Sequence, residues 1–188
     1  MRITFALSTM LSVAAVPLLV YTPQQTNATV SNTFEEQIIP EVMIQETLDL
    51  QEIERQKECI ARNVYHEARN ESKLGMRAVA WVTLNRIRSE RYPNSACDVV
   101  HQANKDANGN LIKHKCQFSW YCDGKADVIK NEEAWKTANE MVDIVVANYL
   151  YVPDPTDGAT MYHANYVSPY WKKDYEKTTR IDSHIFYK

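Results

Sequence analysis

The sequence has little excess charge of either sign. It contains 21 basic and 24 acidic residues among 188, a formal net charge of −3. Because nucleic-acid-binding proteins carry strong, clustered positive charge, no nucleic-acid partner is expected. The one local basic run is Arg86, Arg88 and Arg91, whose spacings of two and three do not share a helix face. We interpret these arginines as solvated residues near a helix end, where they favour the helix dipole.

Two metal-binding patterns are also missing. The pair His66-Glu67 would open a metalloprotease HExxH motif, but Asn70 stands where the second histidine is required. The cysteines contain no C-x2-C pair, which disfavours a zinc site, although one combination of ligands remains conceivable. That combination is His114, Cys97, Cys116 and Cys122. We therefore expect no metal and no cofactor.

There are only four cysteines, Cys59, Cys97, Cys116 and Cys122. An even number in an exported protein predicts disulfides, with three possible connectivities. At least one bridge is expected, most simply within the group of Cys97, Cys116 and Cys122.

The first 28 residues have the composition of an export signal. Arg2 is followed by a mostly apolar run from Ile3 to Tyr21. This run is long for a cleaved signal peptide and just short of a comfortable membrane span. Two alternatives stay open: cleavage after Ala28, or an uncleaved anchor in the inner membrane formed by residues 3–21. Both place the rest of the chain outside the membrane, in the periplasm or cell wall, with membrane contact only through this segment.

Residues 29–54 differ in composition from the rest of the chain. They contain seven acidic residues and no Lys or Arg. Such a self-repelling segment predicts a flexible tether that becomes helical only near Leu48. Residues 55–188 hold 20 basic and 17 acidic residues and suit one modest domain, which we expect to be a monomer.

Two helical patterns meet at Glu67. Apolar residues recur at helical spacing before it and again from Met76 to Ile87, and the residues from Asn70 to Gly75 favour a turn. Glu67 is therefore predicted in the last turn of the first helix. There the negative end of the helix dipole disfavours the charged carboxylate, and apolar lining from Tyr65, Trp81 or Trp120 would act in the same direction. A carboxyl group kept protonated near neutral pH is suited to general acid catalysis.

Further elements are predicted along the chain. Asn131 caps a helix that runs to Tyr151 with an unbroken apolar stripe, and Ser95 or Asn94 caps a short helix through Val100. Asn108-Gly109-Asn110 predicts an exposed turn. The weak alternation of residues 178–188 predicts an edge strand.

Several motifs resemble one known family. The runs YHEARNES, AVAWVTLNRIRS, CDVVHQ, CQFSWYCDG and YHANYVSPYW are similar, in this order, to the SleB-like cell wall hydrolases, over residues 59–188. His66 and Asn70 stand where that family usually has glycine, which affects the local loop shape. The resemblance implies a lysozyme-like α+β fold, mainly α, with a helical lobe and a small β lobe. It also implies peptidoglycan as the partner, cleaved between N-acetylmuramic acid and N-acetylglucosamine.

The resemblance assigns the catalytic role to Glu67. Aromatic faces beside amide and hydroxyl groups suit a sugar site, because sugar rings carry apolar C–H faces ringed by hydroxyls. The residues expected to contact the glycan are Tyr65, Glu71, Asn85, Gln117, Phe118, Ser119, Trp120, Tyr162, His163 and Tyr166. From spacing alone, His163 also suits a structural histidine.

The sequence offers no convincing second carboxylate. Glu71 lies on the same wall as Glu67, whereas a nucleophile must approach the opposite face of the sugar. This favours a single-acid mechanism with a 1,6-anhydromuramoyl product, as in lytic transglycosylases, or hydrolysis of the same bond. A third alternative is a peptidase or amidase that pairs Cys59 or Cys116 with His163 and acts on the stem peptides.

Overall fold

The computed structural model describes the backbone of residues 35–188 and the side chains from Met43 onward. The predicted signal, residues 1–28, lies outside the described residues. The chain divides into Met1–Ile39, of which only the helical backbone of residues 35–39 is described, and the compact unit Pro40–Lys188. Within the described part, no helix combines the length and apolar character that crossing a membrane requires.

Four helices and five strands make up the described chain. The helices are α1 (Glu35–Ala68), α2 (Lys73–Ile87), α3 (Ala96–Val100) and α4 (Glu132–Asn148). The strands are β1 (Ala103–Lys105), β2 (Leu111–Cys116), β3 (Met161–Ala164), β4 (Lys177–Ile181) and β5 (His184–Tyr187). Short 3-10 turns lie at Ser119–Cys122 and Tyr170–Asp174. The predicted mainly helical α+β class is confirmed.

Helix α2 is the centre of the fold. Ala78, Val79, Ala80 and Val82 are all buried, so the helix is covered on every side, as expected for a helix that is apolar all round. One of its faces packs against α1 and α4, and the other packs against the sheet of β3, β4 and β5 through Phe186. The structure therefore places the sheet and α1 on different sides of one helix.

The caps predicted from the sequence are present. The side chain of Asn131 accepts a hydrogen bond from the N–H of Ala134 at the start of α4, and Ser95 accepts from the N–H of Asp98 at the start of α3. β1 and β2 form an antiparallel pair around the turn that contains Gly109, whose positive φ of 83° suits glycine.

Two predictions about the ends of the domain need correction. Helix α1 begins at Glu35, so the predicted helix start near Leu48 is wrong, while the role of residues 29–54 as a tether stays a prediction. Acidic residues are compatible with helix when their partners lie one turn away, as Glu52 pairs with Arg55 at 2.7 Å. The C-terminal segment forms two strands where one edge strand was predicted: the turn after Ile181 folds residues 177–187 into a hairpin, in which β4 is at the edge of the order β3-β5-β4 and β5 is central.

The hairpin turn is fastened to the turn between α1 and α2. Asp182 accepts hydrogen bonds from the N–H of Ser72 at 2.9 Å and from its hydroxyl at 2.6 Å. Glu71 accepts from both the N–H and the hydroxyl of Ser183. Gly75 leaves the space that Asp182 needs, since a Cβ there would collide with the Asp182 carboxylate. These contacts fix the sheet to the chain just beyond Glu67.

Candidate active site

Glu67 is the last residue but one of α1, as the sequence predicted. Its Oε2 accepts a hydrogen bond from the Tyr162 hydroxyl at 3.1 Å, which connects α1 to strand β3. The side chain is partly exposed in a cleft.

The environment of Glu67 favours its protonated form. Burial raises the pKa of Glu67 above its usual value, while the hydrogen bond from Tyr162 and the positive charge of Arg86 lower the pKa by less. Of the three aromatic residues expected to line the site, Tyr65 and Trp120 do so, and Trp81 instead lies in the core beside α1 and α4. The predicted direction of the shift agrees with the structure, and burial is its main cause.

The cleft consists of two cavities that meet at Glu67. One has a volume of about 680 Å³ and the other about 350 Å³. Both are lined by Glu67, Ser119 and Tyr162. The carboxyl group therefore borders two adjoining cavities, and an acid in that position could reach a bond of a ligand that occupies both.

A third groove, of about 760 Å³, lies between α1 and α4 and does not include Glu67. Its charged groups are held in ion pairs: Lys57, for example, contacts Asp143 at 2.6 Å and Glu54 at 2.9 Å. The groove therefore contains surface ion pairs and no group suited to catalysis, so we do not assign it as the active site.

Arg86 is the main cleft residue that the sequence analysis misjudged. It is 2% exposed, not solvated, and it donates to the backbone carbonyl of Thr160 at 2.7 Å. With its amide oxygen turned toward Arg86, Gln117 accepts from two guanidinium nitrogens at 2.9 and 3.2 Å. The guanidinium also lies 4.8 Å from the ring of Phe118. The positive charge of Arg86 thus stands behind Glu67, in the wall of the smaller cavity.

Several predicted glycan-binding residues do line the cleft. Trp120 donates its indole N–H to Asn63 at 3.0 Å and stacks on His66, with ring centres 4.5 Å apart. The Tyr65 hydroxyl accepts from the N–H of Lys130, which fixes the loop before α4. Other predicted residues placed at the cleft are Gln117, Phe118, Ser119, Tyr162 and Tyr166, the last 85% exposed.

Three predicted glycan-binding residues have side chains occupied by structural contacts. Glu71 is occupied by Ser183 in the hairpin fastening described above. Asn85 donates to Asp154 at 2.7 Å and to the carbonyl of Ala159 at 3.0 Å, and so holds the loop before β3. Neither lines either cavity.

His163 is the third of these residues. His163 lines the larger cavity, as Tyr162 does, but its ring is engaged by the protein. One ring nitrogen of His163 contacts the carbonyl of Ala164 at 2.8 Å and the other the Tyr187 hydroxyl at 3.0 Å. Both nitrogens are therefore occupied, which fits the structural histidine that its spacing suggested.

The structure adds cleft residues that the sequence analysis did not select. His66 and His184 line the larger cavity, together with Asp123 and Asp127, and Trp171 lines the smaller one. The pattern of β5 could have pointed to His184, since it alternates with the buried Phe186 on one face of the strand.

All four cysteines are paired, in the bridges Cys59–Cys97 and Cys116–Cys122. The second bridge lies within the predicted group. Because no thiol is free, the peptidase or amidase that would use Cys59 or Cys116 with His163 has no nucleophile. The conceivable zinc site loses its three sulfur ligands for the same reason.

Three comparisons relate the chain to known proteins. A model of the cell wall hydrolase family matches residues 70–187, a range that begins three residues after Glu67. A spore cortex-lytic enzyme of Halalkalibacterium halodurans is 28% identical over 130 residues, which are 69% of this chain and 33% of that protein. The chain thus spans about a third of the length of this curated relative.

Two solved structures are similar over most of the described domain. The catalytic domain of the Bacillus cereus SleB protein is 27% identical, with a TM-score of 0.50, over 72% of this chain and 91% of that one. The catalytic domain of the germination-specific lytic transglycosylase SleB from Bacillus anthracis is 28% identical, with a TM-score of 0.52, over 71% of this chain and 93% of that one.

Proposed function

Because the chain belongs to the cell wall hydrolase family, we propose that it cleaves the glycan strands of peptidoglycan with Glu67 as the single acid and base. The bond is the β-1,4 bond between N-acetylmuramic acid and N-acetylglucosamine. The observation that carries this proposal is the position of Glu67 where two cavities meet, with a pKa raised by burial. Peptidoglycan is also the material on which a cortex-lytic relative would act.

In the first step, Glu67 donates its proton to the glycosidic oxygen. The bond from the muramoyl C1 to that oxygen breaks, and its electron pair stays with the departing N-acetylglucosamine. The oxygen of the muramoyl 2-acetamido group supports the cationic C1. Tyr162 and Arg86 stabilise the carboxylate that forms on Glu67, since one donates a hydrogen bond to it and the other carries a positive charge nearby.

In the second step, the Glu67 carboxylate removes the proton of the muramoyl C6 hydroxyl. The C6 oxygen then bonds to C1, which gives a 1,6-anhydromuramoyl end and returns Glu67 to its protonated form. Activation of a water molecule instead would give hydrolysis. The lytic transglycosylase named among the similar structures favours the anhydro product.

No carboxylate among the described residues contributes to the raised pKa of Glu67, which supports a single-acid mechanism. A nucleophilic carboxylate at about 5–5.5 Å would itself raise the pKa of Glu67 by charge repulsion. In the structure, burial is the only cause that raises the pKa of Glu67, and the contributions of Tyr162 and Arg86 lower it. Asp123 accepts a hydrogen bond from the N–H of Lys125 at 2.8 Å, within its own loop.

The same proposal places the enzyme outside the membrane. Export by residues 1–28, with retention by residues 3–21 if the signal is not cleaved, would bring the domain to the cell wall. A mildly basic domain of 20 basic and 17 acidic residues is compatible with an anionic wall polymer. We propose that the enzyme acts there as a monomer, without a metal or cofactor.

The test is mass spectrometry of muropeptides released from purified murein by the full-length protein and three isosteric variants. Glu67→Gln should lower the rate by about 10²–10⁴-fold, the usual contribution of general acid–base catalysis. Asp123→Asn and Asp127→Asn, which neutralise the cleft carboxylates, should each change it by less than about tenfold, the size of a minor substrate contact.

The products decide between the chemistries. Anhydromuramoyl ends identify a transglycosylase and reducing ends a hydrolase. Stem peptides released from intact glycan would refute glycan cleavage. An aspartate variant as inactive as Glu67→Gln would replace the single-acid mechanism with a two-carboxylate one.

A further inference from the structure

His184 is a buried histidine in the wall of the larger cavity. It begins strand β5, is 6% exposed and lines the cavity together with Glu67 and Tyr162. Its Nδ1 is closed to solvent and has no hydrogen-bond partner among the described residues. A buried polar nitrogen without a partner is unfavourable and uncommon in folded proteins, so this one calls for an explanation.

The neighbouring His163 shows what a structural histidine in this sheet looks like. Both of its ring nitrogens are within hydrogen-bond distance of protein oxygens, at 2.8 and 3.0 Å. Those contacts fix the ring of His163, although this residue also lines the larger cavity. Nδ1 of His184 lacks such a contact although the ring is buried to a similar extent. The two histidines therefore have different roles.

His184 contacts Tyr162, which in turn forms a hydrogen bond with the proposed catalytic acid, Glu67. Its ring centre is 5.0 Å from that of Tyr162, edge to face, and the Tyr162 hydroxyl is 3.1 Å from Glu67. His184 pairs with Ala164 across the sheet, so these two side chains and that of Tyr162 are on one face. A group bound by His184 would therefore belong to a sugar next to the cleaved bond.

The chemistry of the ring fits an amide. Burial lowers the pKa of His184, with the carboxylates of Glu71 and Asp182 opposing and His163 assisting, so the imidazole is neutral near neutral pH. A neutral imidazole has one N–H donor and one acceptor nitrogen. An acetamido group offers a carbonyl, an N–H and a methyl group, and Ala164 and Val167 supply apolar wall for the methyl.

We propose that His184 binds the 2-acetamido group of the sugar seated beside the cleaved bond. Because Nδ1 is closed to solvent in the structure, the proposal requires the imidazole to turn about χ2, which is a soft torsion, when the ligand binds. The inference rests on the proposed function and adds to it the group that is recognised. His184 would make the cleft specific for 2-acetamido sugars over sugars with a 2-hydroxyl group.

The test uses the full-length protein carrying Glu67→Gln, so that bound sugar is not cleaved. Two β-1,4-linked probes are compared by calorimetry: chitotetraose, which has acetamido groups, and cellotetraose, which has hydroxyl groups in their place. His184→Phe keeps a ring but removes both nitrogens, and His184→Asn keeps a polar atom near the position of Nδ1. His184→Phe should weaken chitotetraose binding about tenfold and His184→Asn less than about threefold, the range of one hydrogen bond, with cellotetraose binding unchanged.

Nitrogen-15 NMR of labelled histidine provides a readout that does not depend on the variants. Chitotetraose should shift the His184 ring signals, which are assigned with His184→Asn, and cellotetraose should not. The inference is overturned if chitotetraose does not bind, if it binds without moving those signals, or if His184→Phe weakens both sugars equally. Murein cleavage by the parent protein is scored separately, so the failure of this inference is distinct from failure of the proposed function.

Discussion

Replacing Tyr162 by Phe removes one hydroxyl and leaves the ring packed against His184 and Phe186. The hydroxyl donates to the Glu67 carboxylate at 3.1 Å and so lowers the pKa of Glu67. In the variant the pKa of Glu67 therefore rises. A general acid is active while it is protonated, and the rate is lost as pH rises through its pKa. The alkaline limb of the pH–rate profile should move to higher pH.

The size of the effect follows from one hydrogen bond. A hydrogen bond to a charged group contributes about 1.5–3 kcal/mol, and the lower value applies because the Glu67 side chain is partly open to the cleft. About 1.4 kcal/mol is a factor of ten in an equilibrium constant, so the alkaline limb should move by about one pH unit. If the proton is half transferred in the transition state, about half of that free energy is lost there, and the maximal rate should fall about threefold.

The assay is the rate of turbidity loss of purified murein, measured from about pH 4 to about pH 10 so that the titration of a carboxyl group with a raised pKa is covered. A carbon-13 titration of the Glu67 carboxyl group provides a direct check. Tyr166→Phe is the matched control, since that hydroxyl lies in the same cleft on an exposed side chain. Its limb should stay at the parent position. An unchanged limb in Tyr162→Phe, or one displaced to lower pH, would refute the role given to this hydrogen bond.

Two further predictions concern stability and the buried charge. Arg86→Met leaves the Thr160 carbonyl without its donor and should lower the free energy of unfolding, measured by denaturant melts, by about 1–3 kcal/mol. The control is Arg88→Met, at an exposed residue of the same helix end, which should change the free energy of unfolding little. Equal effects would contradict the buried, hydrogen-bonded role given to Arg86. The bridge Cys59–Cys97 closes a sequence separation of 38 and Cys116–Cys122 one of 6. Replacing the first pair by Ala should therefore cost about 4 kcal/mol and the second about 2 kcal/mol, and the reverse order in melts would count against the loop-entropy argument.

The local signals in the sequence were sufficient for much of the helical part. Ser95 and Asn131 are caps in the structure because each side chain has a backbone N–H three residues ahead. The position of Glu67 in a last turn followed from the polar residues after it. The motif resemblance is confirmed at the level of the family by the match to residues 70–187.

Contacts between distant elements were not visible in local patterns. Arg86 differs from Arg88 only in which side of α2 it occupies, and that side is decided by where β3 and Phe118 pack. Asn85 suited a sugar site equally well, but its partners Asp154 and Ala159 lie about seventy residues away. A spacing pattern records the period of one element and contains no information on its long-range partners.

The balance at Glu67 depends on three separate elements. Burial at the end of α1 raises the pKa of Glu67, while the hydrogen bond from Tyr162 on β3 and the positive charge of Arg86 on α2 lower it. Burial without an opposing influence would disfavour the carboxylate needed for the second step, whereas the Tyr162 hydrogen bond and the Arg86 charge without burial would disfavour the protonated acid needed for the first. In the proposed mechanism the group must serve as acid and then as base, so both influences are required. The hydrogen bonds from Ser72 to Asp182 contribute to this balance, because they hold the sheet that carries Tyr162 against the turn that follows Glu67.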